Sequence, residues 1–128
     1  MRDRSQLVSG YLNLGGNAGA MSRAQPVRAF NATFQVSAAR PALVAYQVQI
    51  ACTTAADRAQ ITLETDAASP PTTIVGGCFV EFPAAPGTLG LQWTLYALVL
   101  PGHNVRIATL TIAGAPTFAL VRSTEVVL

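Results

Sequence analysis

The chain has no lysine, one histidine and one tryptophan, and only 11% of its 128 residues are charged, against about 25% in an average soluble domain. So little charge cannot dress the whole surface of a monomer, and part of that surface is expected to be covered by protein. The absence of lysine, with all eight basic residues arginine, reads as coding bias. A metal cluster cannot be assembled from His103 and two separated cysteines, Cys52 and Cys78. Two cysteines are also too few for a disulfide framework. They read as buried thiols among apolar strand residues, with a bridge as the alternative. No stretch approaches the 18 consecutive apolar residues of a spanning helix, and the strands are too few and short for a closed outer-membrane barrel. No membrane partner is expected. Gln6, Ser9, Asn13 and the glycines break the apolar run that a signal peptide requires.

What charge there is lies unevenly. Arg2, Arg4, Arg23, Arg28 and Arg40 against Asp3 give +4 on the first forty residues, and the remainder carries −2. A basic segment on a mildly acidic body suits docking onto an acidic or like-built neighbour. The arginines are too sparse, with too little aromatic interleaving, for nucleic acid to be the expected partner.

Residues 1–27 contain Gly10, Gly15, Gly16, Gly19 and Pro26 among scattered Leu7, Leu12 and Leu14, a mixture that holds no regular helix. They are expected to form an extended arm laid on another subunit, with Arg2, Arg4, Leu7, Leu12, Leu14 and Arg23 as its contacts. The alternative is that the arm packs on its own body.

From residue 28 onward the pattern is β. The clearest strand is Arg40 to Thr53, where Ala42, Val44, Tyr46, Val48, Ile50 and Cys52 share one face and Leu43, Ala45, Gln47, Gln49, Ala51 and Thr53 the other. Arg28 to Ser37 predicts a first strand with Phe30, Ala32, Phe34 and Val36 inward. Ala59 to Thr65 predicts a half-wet strand with Ala59, Ile61 and Leu63 inward. Gly76-Gly77 marks a bulge or bend within Thr72 to Phe82. Thr88 to Leu100 places Leu89, Leu91, Trp93, Leu95, Ala97 and Val99 on one face. Its other face turns apolar at Tyr96, Leu98 and Leu100, so both faces are expected to be covered. Val105 to Ile112 and Thr117 to Val121 form a closing hairpin. Seven or eight strands with Pro/Gly turns predict an all-β domain over residues 28–128, a single β-sandwich or jelly-roll-like barrel with an extended N-terminal arm.

Groups for chemistry are few. His103 sits in a Pro-Gly-His-Asn turn and reads as a loop residue. Glu64, Asp66 and Glu81 lie on or beside neighbouring strands, which leaves a carboxylate pair for glycoside hydrolysis open; solvated strand-face acids are the simpler reading. Ser37, Ser69 and Ser123 have no nucleophile-elbow context. Tyr46, Trp93 and Tyr96 are the aromatics suited to a sugar-binding surface, but the alternation assigns Tyr46 and Trp93 to buried faces. A non-enzymatic protein without cofactors is expected.

The series RAFNATFQVS, ARPALVAYQVQIACT, ITLETD and LVLPGHNVRIATLTIAGAPTFALVRSTEVVL resembles a family of small proteins encoded among tailed-bacteriophage structural genes. The resemblance spans about residues 28 to 128. It rests on Arg40, Val44, Tyr46, Val48, Ile50, Cys52, Leu63, Glu64, Pro101, Val105, Arg106, Thr109, Pro116, Thr117, Phe118, Glu125, Val126 and Leu128. It departs over the Pro-rich residues 66–90 and at Ala115, where the family usually has threonine. It implies a non-enzymatic virion-associated or tail-region protein and carries no catalytic residue across. Arg106 and Glu125, which recur in that pattern, are expected to form a structural ion pair.

These readings combine into an expectation of a virion component assembled in the host bacterial cytoplasm. It would oligomerise with itself as a trimer or dimer and dock through its arm onto a major capsid protein or a tail protein. A capsid decoration or cement role is favoured, because a short domain with an extended arm can bridge a seam between capsomers. The alternative is a tail-fibre or tail-tip accessory or receptor (carbohydrate)-binding module using Ser69 to Thr73 or Pro101 to Asn104.

Overall fold

The computed structural model describes residues 21–52, 56–82 and 89–128, and there is no helix among them. Eight strands follow in order: β1 (Ser22–Ala24), β2 (Thr33–Gln35), β3 (Ala42–Cys52), β4 (Arg58–Asp66), β5 (Ile74–Glu81), β6 (Leu89–Val99), β7 (Asn104–Ala113) and β8 (Thr117–Val127). They form two four-stranded sheets, β1-β8-β3-β6 and β2-β7-β4-β5, in which every pairing is antiparallel. The domain is an all-β sandwich.

β3 is the centre of the first sheet, bonded along its length to β6 on one side and β8 on the other. Its inward set is the one that strict alternation picks out, and Val44, Tyr46, Val48, Ile50 and Cys52 are all buried. They meet Ala59, Ile61 and Leu63 of β4, Cys78 and Val80 of β5, and Val105 and Ile107 of β7 in one core. Each aliphatic side chain so buried contributes about 1.5–3 kcal/mol relative to exposure. β6 presents Leu95 and Val99 to this core, with Leu91, Trp93 and Ala97 packed at its margin.

Several elements depart from the sequence expectation. The first strand is only Thr33–Gln35, because Phe30 and Asn31 turn, with Asn31 at φ 62°. Asparagine tolerates this left-handed backbone better than most residues. Its side chain continues the contact with β7 by other means: Asn31 Nδ2 donates to Thr109 Oγ1 (3.0 Å), and the Thr109 N–H donates to Asn31 Oδ1 (3.0 Å). Phe30, Phe34 and Val36 still pack on the core, but Ala32 is exposed. β4 is not half-wet, since the outward Thr62 and Glu64 are buried as well. It lies between β5 and β7, an interior strand of its sheet. The irregularity in β5 falls one residue before the glycine pair, because Leu63 opposes Gly76 and Glu64 opposes Ile74, leaving Val75 unpaired.

β8 runs on past Val121 to Val127. Val48 opposes Leu120 while Gln47 opposes Arg122, so Val121 is an extra residue, a β-bulge. Because side chains alternate with a period of two, one inserted residue flips every side chain that follows. Phe118 and Leu120 face inward before the bulge, and Ser123 and Glu125 do so after it.

The boundary of the N-terminal arm also shifts. Ser22, Arg23 and Ala24 pair with Val127, Val126 and Glu125 as edge strand β1 of this chain's own first sheet. Arg23 therefore belongs to the sandwich edge. Arg2, Arg4, Leu7, Leu12 and Leu14 lie outside the described residues.

Candidate functional site

The bulge at Val121 delivers Glu125 into the interior, where its side chain keeps 4% of its exposure. Arg28, arriving from the segment after β1, meets it in a two-pronged bond. Nε donates to Oε2 at 2.8 Å and Nη2 to Oε1 at 2.7 Å. The Tyr46 hydroxyl donates to Oε2 at 2.8 Å, so the buried carboxylate accepts three hydrogen bonds. Phe34 closes the cluster: the Arg28 guanidinium carbon lies 4.0 Å from its ring centroid, and its ring meets that of Tyr46 edge-on at 6.1 Å. Glu125 raises the Arg28 pKa through its hydrogen bond. Burial, reinforced by the neighbouring carboxylate, pushes the Tyr46 phenol far above its ordinary range.

Arg106 does not pair with Glu125. The two strands belong to different sheets, and Arg106 points out of the second sheet while Glu125 points into the sandwich. Arg106 faces Glu64 directly across the β4–β7 ladder. Its Nε donates to Glu64 Oε2 at 2.7 Å, and its Nη2 also donates to the Pro71 carbonyl at 3.3 Å. The structural ion pair expected at these positions is thus two separate ones. Sequence reading missed Arg28 and Glu64 as the partners because nothing in local pattern fixes strand order or the phase of β8.

The carboxylates that suggested hydrolysis are not placed for it. Glu81 opposes Arg58, and Glu64 lies six residues along the same strand from Arg58, about 20 Å away at the ordinary strand rise. Glycosidase carboxyls work about 5–10 Å apart. The Arg58–Glu81 contact is 3.4 Å between half-exposed side chains and contributes little to stability. Asp66 is occupied by its own loop. It accepts from the N–H groups of Ala68, Thr72 and Thr73 and from the hydroxyls of Thr72 and Thr73, and these bonds, led by the Thr72 N–H, hold its carboxyl well below the usual range. Asn104 Nδ2 donates to the Ala68 carbonyl at 3.0 Å, so the 66–73 loop and the 101–104 turn meet at one end of the sandwich.

Cys52 and Cys78 are both free and buried. Burial pushes both thiols up, and Asp57 adds to the effect at Cys52, which keeps them protonated and inert. Among the described residues no group of three or more His, Cys, Asp or Glu side chains could hold a metal ion. Two concavities lie at the surface of the described residues. One is a groove between residues 25–28 and the bulged stretch 120–123; another is a shallow hollow on β4 and β5 floored by Gly77 and walled by Ile74 and Phe79.

Apolar side chains are exposed on the first sheet. On the outer face of the first sheet, Leu43 stands opposite Leu98 and Val126, and Ala45 opposite Tyr96. Tyr96 is 70% exposed, Leu98 54%, and Leu43 and Leu100 49% each. Toward the other end, the same face carries an amide ladder. Gln47 Nε2 donates to Gln92 Oε1 (2.9 Å), and Gln92 Nε2 donates to Gln49 Oε1 (3.0 Å). Of the candidate sugar-binding aromatics, Tyr46 is fully buried, Trp93 packs at the core margin, and Tyr96 alone is displayed.

No protein-family model matches the chain, and no curated protein matches it.

The buried phenol gives a signed pH prediction. A pKa raised in the folded state means that the native protein holds its proton while the unfolded chain loses it above about pH 10. The associated stability is present below that pH and falls as pH rises, by about 1.4 kcal/mol per unit. Tyr46→Phe is expected to cost about 1–2 kcal/mol at pH 7, by leaving Glu125 one donor short, and to flatten the alkaline decline. Urea midpoints from pH 9 to 11.5 read this directly, and equal slopes in the two proteins would exclude it.

Proposed function

We propose that the protein is a non-enzymatic structural component of a tailed-bacteriophage virion, a capsid decoration or cement protein that self-associates and docks through its N-terminal residues. The observation that carries this reading is the apolar outer face of β3 and β6, with Tyr96, Leu98, Leu43 and Leu100 each about half or more exposed. An apolar patch of that kind marks an interaction surface. The carboxylates support the same reading, since Glu125, Glu64 and Asp66 are all committed to bonds that lock strands and loops. The resemblance of residues 28–128 to small phage structural proteins supplies the setting.

Stripping the protein from purified particles is expected to lower the temperature at which they release DNA, and adding it back should restore that temperature. Unchanged heat resistance would overturn the cement role. A chain beginning at Met21 keeps β1 and Arg28, so it separates docking by residues 1–20 from damage to the fold. The alternative, a receptor- or carbohydrate-binding module of the tail, draws support from the tethered pair of loops at 66–73 and 101–104. Binding of the isolated protein to host surface polysaccharide would favour it.

A further inference from the structure

The outer face of the first sheet is built on three strands of 11 residues, β3, β6 and β8. At ordinary strand spacings it is about 35 Å long and about 15 Å wide. Half of it is apolar, around Leu43, Tyr96 and Leu98, and half is uncharged and polar, around Gln47, Gln49, Gln92 and Thr94. β3 and β6 contribute no charged residue to it; its charges are Arg122 of β8, opposite Gln47, and Arg23 of β1, opposite Val126. The outer face of the second sheet also exposes Ile74, Phe79 and Leu110, but there they stand among Arg58, Glu64, Glu81 and Arg106.

We propose that this face of the first sheet binds a second copy of itself about a twofold axis, with Leu43, Tyr96 and Leu98 at the centre and the glutamines as rim. The inference rests on the assembly reading above and gives it a surface. In a twofold contact the same patch meets itself, so any charge near the axis faces its own copy. The part of the face built by β3 and β6, where the axis would pass, carries no charge and meets that condition, while Arg122 of β8 and Arg23 of β1 stand to one side of it. Its exposed side chains amount to on the order of 500 Å², the larger part of the about 800 Å² that each partner of a standard interface contributes. An apolar centre with a polar rim is also the usual anatomy of such contacts.

The test is the solution mass of the full chain by light scattering across about 1–200 μM, with Tyr96→Lys/Leu98→Lys and Leu110→Lys as variants. The expected result is twice the 13.3 kDa chain mass, a dissociation constant at least 100-fold weaker in the double variant, and no change in Leu110→Lys, which alters an exposed residue of the other sheet. Unchanged far-UV circular dichroism in the double variant establishes that the fold is intact, as both side chains are exposed. A trimer mass, a dimer indifferent to the double variant, or a monomer throughout would overturn the proposal. A monomer that still binds and stabilises stripped particles would leave the assembly role standing and assign this face to a virion partner.

Discussion

Replacing Glu125 by alanine is expected to destabilise the protein by about 3 kcal/mol or more, the range found when one member of a buried ion pair is removed. Three donors lose their acceptor at once, namely Arg28 Nε, Arg28 Nη2 and the Tyr46 hydroxyl. Tyr46 has no exposure and cannot turn to water, whereas the Arg28 side chain keeps 21% and can partly relax outward. The phenol therefore makes the loss hard to avoid, and arginine relaxation sets its lower bound. Glu125→Gln retains an acceptor for Tyr46 and should cost less than the alanine change. Arg28→Ala leaves the carboxylate buried with only the tyrosine and should approach the loss of Glu125→Ala. Because the two residues act as one unit, the double variant should fall well short of the sum of the two singles. Urea unfolding followed by Trp93 fluorescence measures all four proteins. A loss below about 1 kcal/mol for Glu125→Ala would mean that the cluster behaves as a solvated surface pair.

The position of that cluster illustrates what the sequence made legible. In β3 the alternation from Ala42 to Cys52 is unbroken and its partners are continuous on both sides, so the inward set followed from period two alone. β6 was legible from its own unbroken alternation against β3. In β8 the same reasoning misplaces Glu125. Extending the inward phase of Phe118 and Leu120 puts Arg122 and Thr124 inside and Glu125 outside, and the single extra residue at Val121 reverses this. No residue of Leu120-Val121-Arg122 announces a bulge, since none is glycine or proline.

Strand order was illegible for a different reason. Hydrogen-bonded neighbours are set by long-range packing, so Arg106 and Glu125, close in sequence, lie in different sheets, while Arg106 and Glu64, far apart, face each other. The first strand failed at Asn31, whose left-handed turn and side-chain bonds to Thr109 replace a regular ladder. For the candidate interaction surface, the sequence located the apolar turn of β6 at Tyr96, Leu98 and Leu100 and required a cover for it. Within one chain those side chains are exposed. A single sequence carries the composition of a surface but not the register that joins Leu43 to Leu98 across two strands.

Gly114→Ala is expected to be among the most damaging single-methyl changes in the protein, at about 3–5 kcal/mol, from two costs that add. The first is conformational. Gly114 has φ +75° in the turn between β7 and β8, and a non-glycine residue held in that region costs about 1–2 kcal/mol. The second is steric and electrostatic. A Cβ built on Gly114 would lie 1.8 Å from Asp57 Oδ1 and 3.0 Å from Asp57 Cα, so rotating the carboxylate away does not clear the backbone contact. Asp57 is fully buried, its Oδ1 accepts from the Ala115 N–H at 2.9 Å, and its carbonyl accepts from the Phe82 N–H at 3.0 Å. Moving it disturbs the connection into β4, the exit from β5 and the β7–β8 turn together, and weakens a hydrogen bond to a buried charge worth about 1.5–3 kcal/mol. Asp57→Asn at the same site separates the two costs. It retains an oxygen acceptor and the glycine, so it should lose only the charge-assisted part of the bond, about 1–2 kcal/mol. If thermal unfolding found Gly114→Ala no worse than Asp57→Asn, the turn would have yielded to the methyl group, and the close packing of Gly114 on Asp57 would not be what holds β7 and β8 in register.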